Sequence, residues 1–544
     1  QRSLGPCLSV KRCDKPPAER SRLHFMLAVL HAVLLERKRY VPVGWTKRYE
    51  FSDADQQCSL DMIDFWVDQV SNNGAVANVD PSKIPWEALR VSLKHVMYGG
   101  RVDNSFDFRV LESFIDYLFT PKCFEPNFPL SLAFKGQESS TVLVGPEQGR
   151  KRDHFLSWVE KMPGAGAAQQ AAGQRESPAW LGLAVNAEKM LRANQGEYTT
   201  VNWLKMQSTE DDLKYERQKD KDGKAKGAAA QQGDGERRGS LGRRASLEMT
   251  NWLSAMAPKV EAMIAGLPEP IHNLMRDEAA VQDPLFRFFD REVSIVVRLH
   301  KQLVSDLKAL RDVCTVGAKT TNAIRALAQS VSTDSIPKDW KQTAQYAVAS
   351  TMSLTQWLVD YAARLEQLRQ LTSNGGKPMA GASVSWTNLW GGGLLFPEAY
   401  LTATRQAVAH KFKWSLEDLF LIISIDGGKG SKGEDSFVLS GLTLEGADWD
   451  ANEGGGKGAL ALSSALSVEL PPVTFRWANK TSDPVVGELL KGEESESPAS
   501  ISVPIYLNFM RTELVTSVRL RVPNNIPPAV WFQRGVSLLL WRKQ

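Results

Sequence analysis

The chain is short of the signatures that mark a reaction centre. No lysine stands in Gly-Lys-Ser/Thr, no histidine pair in H-E-x-x-H, no serine in G-x-S-x-G and no cysteine in C-x-x-C. The first absence removes the lysine that would reach the β/γ-phosphates and the hydroxyl that would hold Mg²⁺. Lys224, Lys377, Lys429 and Lys457 do follow glycine, but the next residues are Ala225, Pro378, Gly430 and Gly458. The others remove a zinc protease helix, a nucleophile elbow and a redox pair. There are only five cysteines in 544 residues, Cys7, Cys13, Cys58, Cys123 and Cys314. Odd in number and far apart, they suggest neither a disulfide framework nor a zinc cage, and a reducing, intracellular compartment fits best. No apolar run reaches the roughly 18 to 20 residues that cross a bilayer, and no signal peptide pattern opens the sequence, so a soluble protein without membrane insertion is expected. A net charge of +4 from 66 basic and 62 acidic residues leaves no argument for nucleic acid. The sequence begins with Gln1 rather than methionine and in mid-pattern, which reads as a piece of something longer.

What is present is apolar periodicity of two kinds. Up to about residue 380 the spacing is helical: Leu23, Met26, Leu27, Leu30, Val33 and Leu34 fall on one stripe. Ser52, with acids after it, announces a second helix carrying Leu60, Ile63, Phe65, Trp66 and Val70. Residues 106–119 read as a third, 284–313 as a long helix opened by Pro284, and 353–371 as another, closed at Asn374-Gly375-Gly376. After residue 380 the period falls toward two. Phe437, Leu439, Leu442 and Leu444 nearly alternate, with Gly441 readable as a bulge, and four more short runs follow. One helix from Pro397 interrupts them, and the pattern predicts a barrel or sandwich.

Two features imitate nucleotide sites. In "FLIISIDGGKGSKGEDS" (420–436), Gly428, Gly430 and Gly433 satisfy G-x-G-x-x-G, with Lys429 and Lys432 beside them. A phosphate cradle needs a helix to follow, whereas here a strand follows, so the glycines are expected in a hairpin loop and Asp426 at a strand-end turn. Gly391 to Gly393 have no basic residue near and read as a tight crossing of two segments. His24 and His31 share a helix face, but two ligands without a third point to packing rather than metal. No catalytic, cofactor or metal residue is assigned. Most of the sixteen tryptophans read as core, with Trp45 a candidate exposed interface anchor.

Several segments lack the apolar residues to pack, notably 163–178, 216–249, the loop near 450–458 and 489–500. Within the second, Arg237-Arg238-Gly239-Ser240 and Arg243-Arg244-Ala245-Ser246 fit R-R-x-S, the pattern of basophilic kinase substrates. Ser240 and Ser246 are therefore candidate phosphorylation sites, each gaining about −2 charge.

Taken together, "RLHFMLAVLHAVLLERKRYVPVGWTKRYEFSDAD", "YGGRVDNSFDFRVLESFIDYLF", "SPAWLGLAVNAEKML", "DPLFRFFDREV", "GGLLFPEAYLTATRQAVA" and "WSLEDLFL" resemble, in order from about residue 16 to 541, the C-terminal end of cytoplasmic dynein heavy chains. The resemblance implies an α+β multidomain fold. Residues 1–104 would be the helical small subdomain of the sixth AAA+ module and 105–380 the helical part of the dynein C-terminal domain, with disordered inserts about 163–178 and 216–249. Residues 381–544 would form an antiparallel β-barrel. It further implies a structural and regulatory part of a minus-end-directed microtubule motor, cytoplasmic and cytoskeletal, tuning processivity or force. ATP and Mg would be cofactors of the full-length motor, with none in this fragment. Expected partners are the other AAA+ modules of the same heavy chain, the intermediate, light intermediate and light chains, and microtubules. A freestanding intracellular scaffold is the alternative class, and a nucleotide-dependent enzyme a third.

Overall fold

A computed structural model describes residues 15–132, 142–147, 152–160, 178–199 in part, 256–316, 321–344, 352–372, 389–428 and 433–540, apart from a few single positions and residues 491–499. The elements that matter here are, in order of sequence, helices α1 (Glu19–Arg37), α2 (Asp53–Val70), α3 (Ser105–Leu118), α4 (Pro284–Val316), α5 (Leu354–Thr372) and α6 (Pro397–Phe412). They are followed by strands β1 (Leu419–Ser424), β2 (Ser436–Ser440), β3 (Thr443–Glu445), β4 (Ser467–Glu469), β5 (Val473–Asn479), β6 (Ser500–Tyr506) and β7 (Leu514–Arg521). Helix α7 (Pro528–Gln533) and strand β8 (Ser537–Leu539) close the fold.

The fold is α+β, and it divides into two compact units. One comprises residues 1–192, 420–431 and 438–544, the other residues 193–419 and 432–437. In the first, α1 is the central helix. The predicted stripe of Leu23, Met26, Leu27, Leu30, Val33 and Leu34 is buried, and so are Arg20, Arg22, His24, His31 and Arg37. A helix covered all round must pair its charges, since an uncompensated ion in the interior costs several kcal/mol. Arg20 accordingly meets Asp64 at 2.6 Å and also Asp68. Ser52 caps α2 as expected, in a full capping box: its hydroxyl accepts from the Asp55 N–H, and the Asp55 carboxylate accepts from the Ser52 N–H at 2.8 Å.

The C-terminal strands depart from the expected antiparallel barrel. Five of them form a sheet in the order β7-β6-β8-β3-β4, with β7 and β4 at its two ends. Strand β8 pairs antiparallel with β3 but parallel with β6, so the sheet is mixed. A parallel pair needs a crossover, and α7, which alternation alone does not signal, lies on the path that returns the backbone. Gly441 is not a bulge either. At φ +76° it turns the backbone out of β2, which neighbours β5, and into β3 of the five-stranded sheet.

In the second unit α4 is the long amphipathic helix that the sequence predicts, burying Phe286, Phe289, Val293, Leu299, Leu303, Leu307 and Leu310. Trp340, Trp357 and Tyr361 stack in series at 6.0 and 5.9 Å between ring centroids. Gly391 to Gly393 form a buried single turn, where a Cβ on Gly393 would lie 2.5 Å from the Trp390 ring. The crossing read from the sequence is that tight.

Candidate functional site

A set of buried polar groups surrounds the last turn of α1. The backbone leaves that helix through Val41 to Gly44 and doubles back, so that the Arg37 guanidinium reaches the Gly44 carbonyl, Nε to O 3.1 Å. Only glycine fits this return, because a Cβ at position 44 would lie 2.2 Å from the Arg37 carbonyl oxygen. Nη1 of Arg37 donates to the carbonyls of Leu181 and, at 3.0 Å, Gln533 at the end of α7. The guanidinium also lies over the rings of Trp45 and Phe114, 5.4 and 5.3 Å from their centroids. Burial lowers its pKa to about 9, with Asp107 raising it and Arg511 lowering it further, so it is charged at neutral pH. One residue thus ties α1 to α7.

A second group stands beside it. Asn104 caps α3 by accepting from the Phe106 N–H at 2.8 Å, which seats Asp107 in the first turn. The Asp107 carboxylate accepts from the Tyr49 hydroxyl at 2.7 Å and the Thr46 N–H at 3.0 Å, and from the Thr46 hydroxyl. Burial raises its pKa, while those hydrogen bonds and the charge of Arg511 pull the other way. The Tyr49 phenol is pushed up by burial and then by Asp107. Arg511 sits at φ +55° and donates to Glu445 at 2.8 Å, with both side chains at most 6% exposed. Between them lies a cavity of about 30 Å³ lined in part by Thr46, Asp107, Tyr506, Arg511 and Trp531.

Packing at this seam requires a second glycine. Gly535, between α7 and β8, has φ +64°, and a Cβ there would lie 2.6 Å from the Val43 carbonyl oxygen. Both the left-handed backbone and the contact oppose any larger residue. Gly535→Ala is expected to lower stability by about 1–3 kcal/mol, read as a lower urea midpoint with an unchanged m value. An unaltered midpoint would show that this segment does not hold the seam.

Chemically, the arrangement joins separate elements through buried hydrogen bonds and an ion pair. Its carboxylates accept from guanidinium, hydroxyl and backbone N–H groups. None of Arg37, Asp107, Glu445 or Arg511 is marked by sequence alone. Arg37 in "LLERKRY" looks like any basic residue at a helix end, and the glycines at 44 and 535 are the nearest available signal.

The residues singled out from sequence are dispersed. Trp45, expected at the surface, is fully buried: its Nε1 donates to the Leu34 carbonyl at 3.1 Å, and Arg37 covers one face. His24 and His31 go to separate partners, Nε2 to Asp64 at 3.0 Å and Nδ1 to the Tyr98 hydroxyl at 3.1 Å. Asp426 closes a turn, accepting from the Gly428 N–H and the Thr474 hydroxyl, both at 3.0 Å. Strand β2 follows the glycine loop, as read, but β5 lies between β1 and β2, so the loop is no hairpin. Residues 429–432, the C-cap at Asn374, Ser240 and Ser246 and most of the inserts lie outside the described residues.

Comparison with known proteins gives two matches that nearly tile the sequence. Residues 20–187 match the AAA lid domain of dynein heavy chains, and residues 210–540 match their C-terminal domain. The protein is 38% identical over 98% of its length to a cytoplasmic dynein heavy chain of Dictyostelium discoideum, and 36% identical over 97% of its length to that of Drosophila melanogaster. It spans about a tenth of these relatives, covering 10% of each. A cytoplasmic dynein heavy chain of Neurospora crassa, 36% identical, matches only 36% of this protein.

Proposed function

The chain belongs to the dynein heavy chain family, and from that premise we propose that it is the structural and regulatory end of an ATP-driven, minus-end-directed microtubule motor, with no catalytic site of its own. ATP and Mg²⁺ would be held by other modules of the heavy chain, and this part would pack on the AAA+ ring and bias its conformations without touching nucleotide. The partners that follow are the other AAA+ modules, the intermediate, light intermediate and light chains of the complex, and microtubules through the full-length protein. The setting would be cytoplasmic. No described helix is long and apolar enough to cross a membrane.

One observation carries this reading. The C-terminal helix α7 is fastened to the lid-matching helices by buried hydrogen bonds, Arg37 to the Gln533 carbonyl at 3.0 Å and Gln533 Nε2 to Ser113 at 3.2 Å. A lid that carries these last elements as a fixed layer is stiffened, and a stiffened lid changes how a ring flexes. Deleting residues 527–544 from the full-length heavy chain should therefore leave ATP turnover largely intact while changing run length or stall force. Gln533→Ala should move the same motility readouts less. If the deleted motor stayed folded yet hydrolysed no ATP, these residues would belong to the catalytic machinery and the proposal would fail.

A further inference from the structure

A cavity of about 390 Å³ opens beside the first turn of α1, within the size range of small-ligand pockets. Arg22 forms part of its wall and is 2% exposed. Nε of the guanidinium donates to the Cys123 carbonyl at 2.8 Å and Nη1 to the Pro146 carbonyl at 3.4 Å, while Nη2 has no acceptor among the described residues. Glycine at 145 leaves room beside that nitrogen, since a Cβ there would lie 3.4 Å from it. A buried charged donor without an acceptor is costly, so the wall favours an incoming carbonyl or carboxylate oxygen.

The rest of the lining decides between them. Glu125 and Glu147 stand exposed at the rim and form no ion pair among the described residues. Glu19, buried in the wall, uses one carboxylate oxygen to accept from the Val79 N–H at 3.0 Å. With these three carboxylates around one guanidinium the cavity is negative on balance, which repels a free anion and attracts a cation. Phe124, Pro126 and Pro146 supply apolar surface, and the prolines have no N–H to donate. Such a surface suits an aliphatic stem with a charged end.

We propose that this cavity binds a lysine-bearing segment of a partner protein. A backbone carbonyl of the segment accepts from Arg22 Nη2, the lysine stem lies against Phe124 and the prolines, and the ammonium is held between Glu125 and Glu147. Two carboxylates from separate loops suit a compact point charge better than the planar fork of an arginine. The inference goes beyond the motor reading, because it needs only the first unit of this protein.

Saturation-transfer NMR on the whole protein tests this, with N-acetyl-lysine N-methylamide as the probe. Its dissociation constant should be on the order of 1 mM, ordinary for so small a ligand. The n-butylammonium ion keeps the cation and stem but lacks the carbonyls, and N-acetyl-glutamate N-methylamide keeps the carbonyls but reverses the charge. Both should bind several-fold more weakly. Changing Glu125→Gln and Glu147→Gln together, at exposed positions that leave Arg22 in place, should weaken the lysine probe about five-fold. Glu398→Gln, exposed in the second unit, should leave it unchanged. No saturable binding of the lysine probe up to about 20 mM, equal binding of either of the other two probes, or indifference to the double change would each overturn the proposal. Should the double variant not fold, the order of the three probes on the wild-type protein decides.

Discussion

Replacing Arg37 with methionine is expected to cost about 3–5 kcal/mol, the range for stripping one side from a buried charged contact. The reason is the number of groups it serves. Its guanidinium donates to the carbonyls of Gly44, Leu181 and Gln533, and each of these would be left buried without that donor. An unsatisfied buried acceptor costs about 1–3 kcal/mol by itself, and the aromatic faces of Trp45 and Phe114 would lose their cation as well. Methionine restores volume but no donor. Lysine restores charge but cannot span three carbonyls with a planar fork, so Arg37→Lys should recover only part of the loss. Tryptophan fluorescence during urea unfolding gives the readout, with Trp45 against Arg37 as a local reporter. A loss below about 1 kcal/mol for Arg37→Met would mean that water or neighbouring groups satisfy the three carbonyls, and the seam would not be the fastening described.

How much of this was legible in the sequence depends on whether a residue's role is local. The Ser52 cap, the Pro284 and Pro397 helix starts and the buried stripe of α1 are all set by residues three or four positions apart, and the spacing shows them. The order of the long sequence blocks also carried the family resemblance, which the two domain matches support. Long-range geometry was not legible. Trp45 reads as a loop aromatic until Leu34 and Arg37 are known to face it. Gly441 reads as a bulge until the backbone is seen to change sheets there, and the parallel pairing of β8 with β6 depends on where α7 returns it. A basic residue near a helix end usually meets water, so nothing in "ERKRY" distinguishes Arg37, which is buried, from Arg39, whose side chain is 48% exposed.

The pair Arg511 and Glu445 should separate the cost of breaking a buried ion pair from the cost of doing without one. Either single change, Arg511→Met or Glu445→Leu, leaves the other charge buried and is expected to cost about 3–5 kcal/mol. The double change removes both charges and should recover most of the loss, since hydrophobic residues of similar volume often replace a buried pair at little cost. Recovery should be incomplete, because Arg511 is one of the groups holding down the Asp107 carboxyl. Without that guanidinium the Asp107 pKa rises further above its ordinary value. Such a group stabilises the fold below its ordinary pKa and ceases to as pH rises through the folded value, so the double variant should lie closest to wild type in acid and fall away toward neutral pH. A double-mutant cycle in urea, run at pH 5 and pH 7.5, measures both effects. A coupling energy above about 1 kcal/mol is expected between the two sites, within the range seen for residues in contact. Additive losses would show that Arg511 and Glu445 stabilise the seam through separate partners, and an unchanged gap from wild type at the two pH values would remove Asp107 from the account.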